Sequence, residues 1–147
     1  MVTEKLLDFP VLYTSAYFNR NRSEYYKTLR SVTESERWES YILFALKGFE
    51  SEAIKTKQKL FQMLALYNEL IERISKNHSK MKAIETVNHL FSFPFTTPTE
   101  FAGALDVHPQ TASTHLAEMK QAGILSDLWM GKNHLYYYRK LYSMIKS

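Results

Sequence analysis

TPTEFAGALDVHPQTASTHLAEMKQAGIL, residues 97–125, is the stretch whose reading decides the fold. Two prolines and a late glycine punctuate it. Thr97-Pro98-Thr99-Glu100 reads as a helix start, with proline near the first helical position, where its missing N–H is no loss and its fixed φ suits the helix. A short helix over Thr99–Leu105 follows. Asp106-Val107-His108 is a tight turn, Pro109 restarts the helix, and Gln110 to Ala122 continue it. Gly123 is the cap, because the chain there must turn through the left-handed region. Ala112, Leu116 and Met119 recur at i, i+4 and i+7, which gives the second helix one buried face. Ala102 and Ala112 are small enough for the two helices to cross closely. Val107 plugs the turn, and Leu105, Leu116 and Met119 fill the core beneath.

Downstream, Ile124–Met130 and His134–Tyr138 look like two strands turned by Gly131-Lys132-Asn133. In Tyr136-Tyr137-Tyr138 the side chains alternate, core then surface, which is favoured over a base-stacking platform. A short helix from Lys140 to Ile145 closes the sequence. Upstream, Met81, Ile84, Val87, Leu90 and Phe91 make an amphipathic helix that Phe93-Pro94-Phe95 stops. Helix, short helix, turn, helix and hairpin in this order define a winged helix-turn-helix domain over residues 78–147. Ser75-Lys76-Asn77-His78-Ser79-Lys80 is polar and marks its boundary with a helical segment, 1–77.

That first segment opens on Leu6-Leu7-Asp8-Phe9-Pro10-Val11-Leu12-Tyr13, read as an extended apolar leader. A first helix is expected from about Asn19 to Ser31, with Ser23-Glu24 as polar start chemistry and Tyr25, Tyr26 and Leu29 at helical spacing. A second pattern begins near Glu36, where Trp38, Ile42, Ala45, Leu46 and Phe49 form one stripe. Gly48 reads as a close contact rather than a stop. No proline falls between Glu36 and Ile74, so one long helix or two abutting helices are expected. Lys55-Thr56-Lys57-Gln58-Lys59 reads as a solvated face. The fold class is therefore mainly α: an N-terminal helical segment with a long helix, then the winged domain with its small hairpin.

Composition narrows the functions. The chain has no cysteine, which removes disulfides, thiolate zinc sites and a cysteine nucleophile. No signal-peptide pattern and no run of about 18 apolar residues is present, so a cytoplasmic, non-membrane protein is expected. The net charge is +4 over 147 residues. Residues 1–77 carry twelve Lys/Arg against ten Asp/Glu and residues 78–147 seven against five, so each part is +2. This permits nucleic-acid contact without demanding it. His78, His89, His108, His115 and His134 lack metal-ligand spacing, and no metal or other cofactor is expected. Gly48, Gly103, Gly123 and Gly131 are too far apart for a phosphate loop, and no catalytic motif is visible.

The candidate binding residues lie on the second helix of the pair and on the wing. Gln110, Thr111, Ser113 and Thr114 would face a major groove, where glutamine pairs with adenine and hydroxyls reach bases or phosphates. Lys132, Asn133 and His134 at the wing tip would touch phosphate or the minor groove. A solvated surface reads equally well: Thr114 stands where many DNA-reading members carry Arg or Lys, and Glu118 repels phosphate.

Phe9-Pro10-Val11-Leu12-Tyr13-x-Ser15-x-Tyr17-Phe18, then Arg22-x-x-Tyr25-Tyr26-x-x-Leu29-x-x-Val32, Trp38-Glu39 and Phe44-x-x-x-Gly48, resemble the segment that follows the catalytic helix in Fic-family proteins. Gly131-Lys132-Asn133-His134-Leu135-Tyr136 is similar to the winged helix that closes many bacterial members. The resemblance implies the C-terminal, non-catalytic part of an enzyme family that transfers AMP from ATP to protein hydroxyls. The family motif, His-x-Phe-x-Asp-Gly-Asn-Gly-Arg, is absent from these residues, so no catalytic position carries over and no catalysis by this chain is expected. A truncated product, a separately encoded half and a cut piece all fit. The leading function is a DNA-binding or regulatory module with double-stranded DNA as partner. The alternatives are an interaction module that pairs with a second copy or with a Fic catalytic domain, and the non-catalytic fragment of the AMP-transferring enzyme itself.

Overall fold

The computed structural model describes residues 13–78 and 80–146. The apolar leader expected from Leu6 therefore lies outside the described residues except for Tyr13. The described residues form seven helices and a three-stranded antiparallel sheet. The chain divides into two compact units, 1–61 and 62–147. The division falls inside the long helix, upstream of the polar stretch that marks the helix end.

In the first unit, α1 (Thr14–Arg20) and α2 (Arg22–Ser35) stand where a single helix was expected from Asn19. Asn21 separates them. Its backbone leaves the helical region at φ −116° and ψ 39°, and its backbone and side-chain amides both donate to the Tyr17 carbonyl. α2 ends at Glu36, a left-handed residue with φ 51°. α3 then runs unbroken from Glu39 to Asn77, which decides for one long helix.

The face of α3 that packs in this unit takes in only one edge of the Trp38–Phe49 stripe, where Ala45 and Phe49 are half-buried. Tyr41, Phe44, Gly48 and Glu52, at helical spacing, carry the contacts. Phe44 lies against Tyr17, Phe18 and Tyr25, with ring centroids 5.5, 5.4 and 6.2 Å away. Phe18 and Tyr25 stack at 5.5 Å. Gly48 lets α1 approach: a Cβ there would lie 2.8 Å from Tyr17 Cδ1 and 3.2 Å from Phe18 Cε1. Glu52 is buried, and Arg20 and Lys55 hold its carboxylate, as a buried charge requires. Trp38, Ile42 and Leu46 stay more than half exposed or nearly so, at 57, 50 and 56%.

The second unit begins with the last turns of α3, whose Leu66, Leu70 and Ile74 enter the core. α4 (Ala83–Ser92) buries Val87 and Leu90. β1 (Phe95–Thr96) was not foreseen; it pairs with the start of the tyrosine run, Phe95 opposite Tyr137 and Thr96 opposite Tyr136. α5 (Pro98–Leu105) begins with a capping box, in which Thr97 and Glu100 satisfy each other's backbone N–H groups. α6 (Pro109–Gln121) buries Ala112, Leu116 and Met119. Gly123 follows with φ +65°. β2 (Leu125–Met130) and β3 (Asn133–Tyr138) form the hairpin, and the sheet order β1-β3-β2 leaves β2 at an edge. Tyr136 and Tyr138 are buried and Tyr137 is half-buried, the alternation expected of this strand. Burial pushes the Tyr138 hydroxyl up to about 12, helped by nearby Glu69 and opposed by Arg73. α7 (Arg139–Lys146) seats Leu141 in the core.

Candidate functional site

α5 and α6 meet through Asp106, Val107 and His108. Asp106 takes a left-handed conformation, φ 52°, which aspartate tolerates better than most side chains. The Val107 N–H donates to the Ala102 carbonyl at 3.1 Å, and Val107 packs on the core edge. Lys82 Nζ reaches the Leu105 carbonyl at 2.9 Å and so satisfies an end group of α5. His108 Nδ1 accepts from the Gln110 N–H at 3.3 Å and caps α6. Each contact fixes the angle at which α6 leaves the turn, hence the direction of its outer face.

On that face Gln110, Thr111 and Thr114 are exposed and Ser113 is half-buried. Thr114 Oγ1 donates back to the Gln110 carbonyl at 3.0 Å, which leaves its lone pairs, rather than its proton, outermost. The early turns of α6 thus bring three of the four predicted helix residues together as an uncharged polar surface.

At the hairpin, Lys132 and Asn133 are exposed around Gly131, whose φ is +64°. His134 is engaged within the fold. Its Nε2 lies 2.7 Å from Asp127 Oδ2, and its ring stacks on Trp129 with centroids 4.4 Å apart and planes 4° from parallel. Lys120 Nζ, from the end of α6, holds the same carboxylate oxygen at 2.7 Å. The Lys120 and then the His134 hydrogen bond hold Asp127 below the usual carboxylate range, and Asp127 in turn raises Lys120. This pins the hairpin to the end of α6.

Trp129 and Met130, 68 and 65% exposed, are surface features that the sequence did not single out as binding residues. Trp129 comes opposite His134 because the strands close on a two-residue turn, with Met130 opposite Asn133, where a three-residue turn was expected.

His78 and His115 line a pocket of ≈ 360 Å³ with Asn77, Lys80, Met81 and Glu118. His78 Nδ1 stands 3.6 Å from Glu118 Oε2. Among the described residues no group of three or more His, Asp or Glu side chains is placed to hold a metal ion, and no helix is long and apolar enough to cross a membrane.

The fold thus defines a small, mainly helical domain with an attached hairpin and an exposed, uncharged polar helix face. Residues 66–141 match the family described as protein adenylyltransferase SoFic-like, C-terminal domain, and the chain belongs to that family.

Proposed function

We propose that the second unit is a winged-helix module that binds duplex DNA through α6 and serves as a regulatory, non-catalytic part of a Fic-type protein. The observation that carries this reading is the division of α6 into a fully buried apolar face, Ala112-Leu116-Met119, and an outer face on which Gln110, Thr111 and Thr114 are open. The Gln110 amide has donor and acceptor for adenine, and the Thr111 hydroxyl and Lys132 ammonium suit bases and phosphates. Few cations are available, so the logarithm of affinity should fall with salt by only one or two phosphate equivalents, a slope of about −1 to −2.

Fluorescence anisotropy with random duplex DNA at low and moderate salt tests this. The expected result is weak, salt-sensitive binding that Thr111→Glu abolishes. No binding at low salt, or binding that Thr111→Glu leaves unchanged, overturns it. On the same reading the chain transfers no AMP by itself, because the residues of the family's active-site motif are not among its 147. Labelling of any protein by the purified chain with ATP would refute that.

The open Trp129 and Met130 at the edge strand favour a second reading, a protein-interaction module. A stable partner complex that Trp129→Ser abolishes, from a chain without DNA affinity, would decide for it.

A further inference from the structure

Within the first unit α3 has two unlike faces. One, around Phe44 and Gly48, packs against the rings of α1 and α2. The opposite one is apolar and open. Leu46, Ile54, Leu60 and Phe61 are 56, 52, 53 and 61% exposed. Its charged members are Glu50 and Lys57, both exposed, with the small Ala53 between them. They are seven residues apart, two helical turns, and so share one line along the helix.

We propose that this face binds the same face of a second copy, with the two α3 helices antiparallel and the twofold axis passing between Ala53 and Ile54. Residues equidistant from that axis then meet. Glu50 faces the partner's Lys57, and by symmetry the pair forms twice. Leu46 faces the partner's Phe61, and Ala53 lets the backbones approach where they cross. A parallel pairing would instead set Glu50 on the partner's Glu50 and Lys57 on the partner's Lys57. The charges therefore select both the partner and its direction, because like charges in register are unfavourable. The seven side chains named, six of them exposing roughly 100 Å² each, offer about 600–700 Å² per copy, the lower end of one partner's contribution to an ordinary stable interface. This inference is independent of DNA binding by the second unit.

The test is the mass of the full chain by light scattering and sedimentation from about 1 to 100 µM, a range that covers ordinary self-association affinities, for wild type, Lys57→Glu and the double variant Glu50→Lys/Lys57→Glu. Both positions are solvent-exposed, so far-UV circular dichroism should not change. The wild type is expected to dimerise. Lys57→Glu turns both cross-pairs repulsive and should weaken dimerisation about tenfold or more. The double variant exchanges the charges and should restore it. A wild type that stays monomeric throughout, a Lys57→Glu variant as dimeric as the wild type, or a double variant that fails to recover would each overturn the proposal.

Discussion

Gly48 and Gly103 are both helical, yet replacement by alanine should move stability in opposite directions. Within a helix, alanine is favoured over glycine by about 1 kcal/mol, because glycine loses more backbone freedom on folding. At Gly103, on α5, a Cβ would meet nothing within 4 Å, so Gly103→Ala should realise that gain. At Gly48 the new Cβ would fall 2.8 Å from Tyr17 Cδ1 and 3.2 Å from Phe18 Cε1. Those rings are themselves packed on Phe44, so α1 must withdraw. Overpacking of this kind costs about 1–3 kcal/mol, which outweighs the propensity gain and leaves a net loss of about 1 kcal/mol. The two tryptophans, Trp38 and Trp129, lie one in each unit. Urea unfolding read at Trp38 in a Trp129→Phe background reports Gly48→Ala, and the converse background reports Gly103→Ala. Midpoints should shift down and up by about 0.5–1 M, respectively. If both rise together, the close seating of α1 on α3 is wrong.

Two further outcomes follow from the second unit. Thr97→Ala removes the reciprocal cap of α5, seen also in the lowered Glu100, which the Thr97 backbone and hydroxyl hold below its ordinary range; the unit should lose about 1 kcal/mol by urea unfolding at Trp129. His89 is held below its ordinary 6.5 by burial, against an opposing pull from Glu100. Its neutral form is the folded one, so its contribution is present above the unfolded pKa and declines as pH falls from about 6.5 toward the lower folded value. The urea midpoint should therefore drop between pH 7.5 and 5.5 more steeply in wild type than in His89→Gln, and equal slopes would refute the assignment.

Where breakers stand in the sequence, boundaries could be read to within a residue or two: Pro98, Pro109 and Gly123 delimit α5 and α6 as expected. The break between α1 and α2 has no such mark, since Asn21 ends α1 only by turning its own amides onto Tyr17. β1 is two residues long and exists because the Tyr136–Tyr137 backbone offers it a partner, which no local pattern reveals. Along α3 the strongest hydrophobic periodicity picked a face that is mostly open, with only Ala45 and Phe49 half-buried. The packed face includes a glycine and a glutamate, and both matter through neighbours far away in sequence, Tyr17 and Arg20. The candidate site divides the same way. Gln110, Thr111 and Thr114 fall outward because Ala112, Leu116 and Met119 fall inward, which helical spacing already dictates. His134 depends on Asp127 and Trp129 across the hairpin, and only register places those.

The contacts that α3 makes with the end of α6 and with α7 bear on how the second unit is made. Lys140 Nζ reaches Glu69 Oε1 at 2.6 Å, Arg73 donates to the Ala122 carbonyl at 2.6 Å, and Leu141 joins the core cluster that contains Leu66 and Leu70. The first and last helices of the unit thus complete one another. During vectorial synthesis, Leu66, Leu70 and Ile74 leave the ribosome long before the residues that cover them. The unit stays open until Leu141 has emerged, and a ribosome stalled in the hairpin would hold a nascent chain whose apolar ridge is available to chaperones.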